Sequence, residues 1–305
     1  MLTGRDVLLV EKRGHILLLT LNREERGNAL SRELRERLDE EIRSFDEDDD
    51  LWVLVLTGRG GKFFSTGMDL KEFDEQRGAS AAPIPKAAGK SGHNFITTWK
   101  PMIAAINGHA CAGGWAIAQR CDLRLAADTA TLAITESRWN LAAPFAGEPH
   151  LFPTKAIAAE IALMARPITA QRAYEIGFVN KVVPGDELLA EALEWAAHLC
   201  TLGQEAIRGH KKLFYYSQWA PPSEIPELSR DIFYWTLGGK PGVVVDPTVG
   251  ARAFAEGRQP DFGDMFAPRR LRCPVCAAEY AVVRNGDQPI AIRCHGNELV
   301  DCVAD

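Results

Sequence analysis

The sequence contains no uninterrupted apolar run approaching the roughly 18 residues that a membrane-spanning helix requires, so no membrane span is expected. It has no polybasic block, and a formal net charge of −6 leaves no surplus of cations for a phosphate backbone, so nucleic acid is not an expected partner. The opening residues, MLTGRDVLLVEKRGHILLLTL, lack the basic start, apolar core and small-residue cleavage site of a secretory leader. A cytoplasmic location is the expectation. Internal repeats and low-complexity tracts are absent as well. Cysteine is scarce over most of the chain: Cys111, Cys121 and Cys200 are scattered through apolar contexts that read as small buried thiols. Cys273, Cys276, Cys294 and Cys302 crowd together at the end, and that imbalance marks a boundary.

What remains is an ordinary globular composition, 46% hydrophobic and 25% charged over 305 residues, with ample material for a core. VLLVEKRGHILLLTLN reads as a hairpin around KRGH. In SRELRERLDEEIRSFDEDDD, Leu34, Leu38, Ile42 and Phe45 recur at helical spacing behind Ser31, a helix cap. LWVLVLTG and PMIAAING are short, continuously apolar strands of a sheet covered on both faces. Between them, from Glu72 to about Gly92, the chain turns polar and rich in Ala, Gly and Pro, which reads as a long loop or weak helix. The alternation of strands and helices predicts an α/β protein.

Two glycine-rich turns stand out. In NGHACAGGWAIAQRCDL an apolar strand stops at Asn-Gly, and Gly113 and Gly114 open a buried helix. In TGRGGKFFSTGMDLKEF another strand ends in glycines, and Ser65, Thr66 and Gly67 lead to Asp69. Two such turns can present backbone N–H groups to one point, where a helix N-terminus adds partial positive charge, and together they stabilise a developing oxyanion. The competing reading is that the glycines only make tight turns.

The motifs resemble those of the crotonase superfamily, the enoyl-CoA hydratase/isomerase proteins, in order over about residues 5–265. NREERGNALS is similar to the family's Asn-Arg-Pro…Asn-Ala-Leu segment, with Glu24 in place of proline. FFSTGMDL is similar to Phe-x-Ala-Gly-x-Asp-Leu, with Thr66 in place of alanine. KPMIAAINGHACAGGWAIAQRCDLRLAA and ITAQRAYEIGFVNKVVP resemble two later segments. The resemblance implies a spiral of ββα units, a homotrimer or hexamer, and an acyl thioester, on CoA or an acyl carrier protein, as substrate. It implies the backbone N–H groups of Thr66 and Gly113 as oxyanion donors. Ala29, Leu30, Ser65, Gly67, Asp69 and Leu70 match segments that line the CoA in relatives, with core packing as the alternative for the apolar ones.

Two glutamates serve the hydratases of this family. Counted from Gly113, the first position falls on Ala116 and the second on Glu136. One acid/base group therefore survives. A single carboxylate suits the shuttling of one proton between carbons better than the addition of water, so isomerisation or another enolate rearrangement ranks above hydration. The alternative is a surface or salt-bridged carboxylate. Trp115, Trp139, Phe145 and His150 are expected in or near the acyl pocket; His109 and His150 could replace the missing acid but read more simply as structural or exposed.

The end of the chain departs from the family. Cys273-x-x-Cys276, strand-like AEYAVV, a turn at RNGD, strand-like PIAIR, then Cys294 and Cys302 read as a zinc ribbon with structural Zn²⁺, His295 being an alternative fourth ligand. A redox dithiol or unliganded thiols are the alternatives. Three regions are thus expected: a spiral core over 1–198, a helical region over 199–266 serving oligomerisation and active-site cover, and a zinc-ribbon-like tail over 267–305. The rival to an enzyme is a scaffold or carrier-binding protein that has lost efficient chemistry and docks a protein partner through the tail.

Overall fold

A computed structural model describes residues 6–72, 98–147, 152–238 and 248–262, together with the backbone of short strands between 270 and 301. The segment expected as a long loop or weak helix lies almost wholly outside the described residues. Two compact units divide the chain, Met1–Cys200 and Thr201–Asp305.

The first unit is built on a six-stranded sheet whose spatial order is β1 (Leu8–Arg13), β2 (Ile16–Leu21), β3 (Val53–Gly58), β5 (Met102–Ile106), β7 (Leu123–Ala127) and β10 (Lys181–Val183). The β1–β2 hairpin is antiparallel, and every pairing after it is parallel. A second sheet of four shorter strands runs β4 (Phe63–Ser65), β6 (His109–Cys111), β8 (Thr131–Ala133), β9 (Ile168–Thr169). Each long strand β3, β5 and β7 is followed within a few residues by a short strand, β4, β6 and β8, in the other sheet. The chain thus steps repeatedly from one sheet to the other, as a ββα spiral requires. β3 and β5 are buried at every residue, which explains their unbroken apolar sequences.

Helix α1 (Arg32–Glu47) follows the pattern read in the sequence. The Leu34 N–H donates to Ser31 Oγ at 3.2 Å, and Leu34, Leu38, Ile42 and Phe45 are its buried face. Each of these side chains contributes roughly 1.5–3 kcal/mol by leaving water. The helix is closed at its C-terminus by Lys100, which is 3% exposed and donates from Nζ to the carbonyls of Phe45 (2.5 Å) and Asp48 (2.7 Å). A cation there also meets the negative end of the helix dipole. Helix α2 (Gly113–Arg120) follows β6; α3 (Lys155–Met164) and α4 (Ala170–Glu175) come after β8; α5 (Leu188–Cys200) packs across β2, β3, β5 and β7.

In the second unit α6 (Gln204–Ser217) packs against α7 (Ile225–Gly238), and α8 (Thr248–Ala255) follows. The close approach is made at Gly209, where a Cβ would stand 2.7 Å from Thr236 Cγ2. Glu205 and Arg208 form a buried ion pair on α6. The strands at the end of the chain are β11 (Arg270–Arg272), β12 (Glu279–Ala281), β13 (Arg293–Cys294), β14 (Asn297–Glu298) and β15 (Val300–Asp301). Of the expected hairpin of AEYAVV with PIAIR, the turn and all but the last residue of PIAIR lie outside the described residues; β12 pairs with β11, and β13 pairs with β14. Cys273, Cys276, His295 and Cys302 lie outside the described residues, and of Cys294 only the strand backbone is described. Among the described residues no group of three or more His, Cys, Asp or Glu could hold a metal ion, and no helix is long and apolar enough to cross a membrane.

Lys100→Met keeps the aliphatic stem and removes both charge-assisted bonds, so it should cost about 2–4 kcal/mol in urea unfolding. A loss well under about 1 kcal/mol, the net worth of an ordinary hydrogen bond, would mean that the ammonium does not close α1.

Candidate active site

Two asparagines set the turn that precedes the site. Asn28 is buried in a left-handed conformation (φ 51°), which asparagine tolerates better than most residues. Its Nδ2 donates to the carbonyls of Arg59 (3.0 Å) and Phe63 (2.8 Å), and its Oδ1 accepts from the Arg23 N–H (3.0 Å). From the other side Asn107 Oδ1 accepts from the Gly58 N–H (3.0 Å), while its Nδ2 donates to the Gly60 carbonyl (2.5 Å). Held in this way, β4 delivers Ser65, which is fully buried. Its Oγ donates to the Asn28 carbonyl (2.9 Å) and accepts from the Gly67 N–H (3.2 Å).

The next residues run beside Leu30 as a single parallel bridge to Met68. The Leu30 N–H donates to the Gly67 carbonyl (2.8 Å), and the Asp69 N–H donates to the Leu30 carbonyl (3.4 Å). In such a bridge the flanking groups face the neighbour, so the N–H of Met68 itself points the other way. On that side lies Gly113, the first residue of α2. Met68 N is 3.5 Å from where a Cβ on Gly113 would stand, and a Cβ on Gly67 would stand 2.7 Å from Gly113 N. Among the described residues neither the Met68 nor the Gly113 N–H has a protein acceptor.

This geometry corrects the assignment of Thr66 as a donor. The Thr66 N–H already donates to the Gly27 carbonyl at 3.0 Å, and the available amide belongs to the residue two positions on. The glycines serve the packing of the two turns against each other. A Cβ on Gly114 would stand 2.1 Å from the Ser65 carbonyl oxygen, so Gly114 admits the protein's own backbone rather than a ligand. Gly67, at φ +85°, does the same for Gly113. Just before α2, Ala112 is held at φ 52°, ψ −121°, a conformation proper to glycine that costs an alanine about 1–3 kcal/mol.

The paired amides open into a cleft of about 410 Å³. Its lining includes Leu30, Thr66, Met68 and Leu70 and, from a later part of the chain, Thr135, Glu136, Trp139, Leu141 and Phe145. Glu136 opens a short 3-10 helix (Glu136–Trp139), and its Oε2 is buried with no hydrogen-bond partner. Burial raises its pKa, offset in part by the backbone N–H groups of Glu136 itself and Thr135. Ala116 is buried on α2 and carries no ionisable group, which leaves Glu136 as the cleft's carboxylate among the described residues. Arg35, which no sequence motif singled out, lines the cleft as well.

Other candidates sit elsewhere. Ala29, Ser65 and Gly67 are not among the residues lining the cleft. Asp69 lines a separate polar cleft of about 280 Å³ together with Arg23, Arg26 and Lys71. Burial pushes its carboxyl up, but the Arg23 guanidinium (2.9 Å) and the backbone N–H groups of Glu72 and Lys71 outweigh that and hold it below the ordinary range. Arg23 also donates to the Ala29 carbonyl (2.5 Å), so the pair ties the donor turn to the segment before α1. Trp115 was expected near the acyl pocket, but it is fully buried and stacked on Phe178 with ring centroids 4.2 Å apart. It faces the core because α2 is a buried helix whose sides are nearly all covered. His109 pairs with Thr131 Oγ1 (2.6 Å) outside the cleft, and His150 lies outside the described residues. Burial raises the thiol pKa of Cys111, and pushes that of Cys200 up to about 11, as inert thiols require.

A profile of the family described as "Enoyl-CoA hydratase/isomerase" matches residues 11–265. The chain belongs to this family. Among similar members, "Enoyl-CoA hydratase EchA19" of Mycobacterium tuberculosis is 34% identical over 269 residues, covering 85% of this chain and 97% of that protein. "Mevalonyl-coenzyme A hydratase sidH" of Aspergillus fumigatus is 32% identical, covering 81% and 91%. "Carnitinyl-CoA dehydratase" of Salmonella heidelberg is 33% identical, covering 84% and 97%. A solved enoyl-CoA hydratase from Mycobacterium tuberculosis H37Rv superposes with a TM-score of 0.74 at 32% identity, over 84% of this chain and 98% of that one. Enoyl-CoA hydratase/isomerase family membership therefore covers the two sheets and the cleft, and stops short of the cysteine-rich end.

Two stability measurements check the site's construction. Ala112→Gly should stabilise by about 1 kcal/mol, the released strain less the entropy of a freer unfolded chain, whereas Gly114→Ala should lower the Tm; an unchanged Tm in both would refute the described packing. For Glu136 the sign follows from a raised pKa: the folded state favours the protonated form at low pH and loses that advantage as pH rises through the folded value. Glu136→Gln should therefore be more stable than wild type at neutral pH, with the difference closing as pH falls into the ordinary carboxylate range. A constant difference across that range would contradict the burial of the carboxyl.

Proposed function

We propose that this protein is an acyl-thioester enzyme of the enoyl-CoA hydratase/isomerase type that holds a thioester carbonyl oxygen between the N–H groups of Met68 and Gly113. The observation that carries this reading is the convergence, on a single cleft, of two backbone amides with no acceptor among the described residues and one half-buried carboxylate whose Oε2 is buried and unpartnered. Each such donor lowers the barrier by about 2.7–4 kcal/mol when charge develops on the oxygen. The start of α2, whose dipole is positive at Gly113, adds to both.

The chemistry follows from having one carboxylate in the cleft among the described residues. With a β,γ-enoyl thioester, Glu136 takes a proton from the α-carbon. The electron pair of the broken C–H bond moves through the thioester to its carbonyl oxygen, giving a dienolate held by the two amides. The protonated Glu136 then returns its proton to the γ-carbon, the double bond settles next to the carbonyl, and the carboxylate is regenerated. A group with a raised pKa is suited to both halves of this transfer. Hydration needs a second group to activate water, and Ala116 supplies none. Isomerisation or a related enolate rearrangement therefore ranks above hydration. The relatives named for mevalonyl-CoA and carnitinyl-CoA differ in acyl group at similar identity, so resemblance alone does not choose the substrate.

The same reading includes a homotrimer or hexamer. Phe214, Trp219, Phe233, Tyr234 and Phe254 of the second unit are all more than half exposed in the single chain, the kind of apolar surface that a subunit interface covers.

The test uses a panel of enoyl and β,γ-enoyl thioesters on CoA and on acyl carrier protein, followed by product analysis and by deuterium exchange at the α-carbon. Wild type should exchange and isomerise at least one member, and Glu136→Gln should lose about 10²- to 10⁴-fold in rate while still binding it. Indistinguishable traces for wild type and Glu136→Gln on every member would leave a scaffold or carrier-binding protein with no chemistry.

A further inference from the structure

Arg35 and Glu136 are the two ionisable residues lining the apolar cleft among the described residues. Glu136 has a role in the proposed chemistry; Arg35 has none. It lies on the first turn of α1, half-buried, and its Nε donates to the Ser31 carbonyl at 3.4 Å, a long and weak contact. Arg32, Arg37 and Arg23 each have a carboxylate within 2.9 Å, whereas the Arg35 guanidinium has no ion pair among the described residues. Asp39, one turn along the helix, feels the charge of Arg35 and of Arg43 but does not reach salt-bridge distance. Nor does Arg35 tune the acid/base: Glu136 is set by its burial and by two backbone N–H groups.

A cation in this position has a cost that depends on what fills the cleft. The neighbouring lining is apolar, from Leu30, Met68, Leu70, Trp139 and Leu141. A hydrocarbon acyl chain laid against that lining would strip water from the guanidinium and give nothing back, and burying an unpaired charge is expensive. A carboxylate on the acyl group would restore the lost hydrogen bonds in the planar, two-point geometry that guanidinium favours. The carrier's phosphate groups are the competing partner for Arg35: the separate polar cleft holds Arg26 and Lys71, but beside Glu33, Asp69 and Glu72.

We infer that Arg35 selects acyl thioesters whose short acyl chain ends in a carboxylate. The inference rests on the cleft being the thioester site, as proposed above, and adds the substrate class.

The test is calorimetric binding of succinyl-, glutaryl- and adipyl-CoA, each beside its methyl ester, to wild type, Arg35→Met and Arg35→Lys. Wild type should bind at least one free acid about 10- to 100-fold more tightly than its ester, the worth of one charge-assisted bond. Arg35→Met should erase that ratio without changing the ester's affinity, and Arg35→Lys should retain part of it. Equal affinity of acid and ester for wild type would overturn the inference and leave the enzyme reading intact. Equal weakening of acid and ester in Arg35→Met would also overturn it, by showing that the guanidinium serves the carrier's phosphates. Failure of every thioester to bind would bring down both readings.

Discussion

The site depends on two backbone turns touching with no side chain between them. Gly67 lies against Gly113, and Gly114 lies against the Ser65 carbonyl, at separations where a single Cβ would force the turns apart. Everything upstream serves that contact. Asn28 and Asn107 pin the turn after β3, Ser65 bonds back to Asn28, and the Arg23–Asp69 pair fastens the donor turn to the segment entering α1. Hydrogen bonds of this kind contribute about 1 kcal/mol each on balance, yet their main effect is positional. They spend the N–H groups of Thr66, Gly67 and Asp69 on internal partners and leave that of Met68 free to face Gly113.

The cleft beyond these amides is mostly apolar, and this sets the behaviour of its charged groups. The same desolvation that raises the Glu136 pKa is a cost to folding, and it suits the group to the proton transfer proposed for it. The same apolar lining makes Arg35 selective, since a guanidinium stripped of water by a bound acyl chain discriminates strongly between a partner and none. Strain at Ala112 belongs to the same economy: the backbone just before α2 adopts a conformation that alanine resists, and surrounding packing holds it there.

Much of this was legible in the sequence. Unbroken apolar runs identified β3 and β5, helical spacing with Ser31 identified α1, and the order of the glycine motifs identified the family. Spacing also placed Glu136 in the cleft and left Ala116 without a charge. The donor assignment failed because sequence position cannot show which way an N–H points. That direction is set by the bridge between Leu30 and Met68, a contact across 38 positions in the chain. The glycine motifs did not reveal that the protein's own backbone fills the space beside Gly67 and Gly114. Trp115 was misplaced because residue type does not tell which side of a short buried helix faces a pocket. Arg35 escaped notice since a lone arginine in a charged amphipathic helix resembles its solvated neighbours, and only the cleft distinguishes it.

The most direct measurement is the infrared carbonyl stretch of an isotope-labelled thioester bound to the protein, with the Met68 amide or, separately, the Thr66 amide replaced by an ester linkage. The account requires a marked shift to lower frequency in wild type, largely lost with the ester at Met68 and retained with the ester at Thr66. A carbonyl that absorbs as it does in water, or a shift abolished through Thr66 instead, would contradict it.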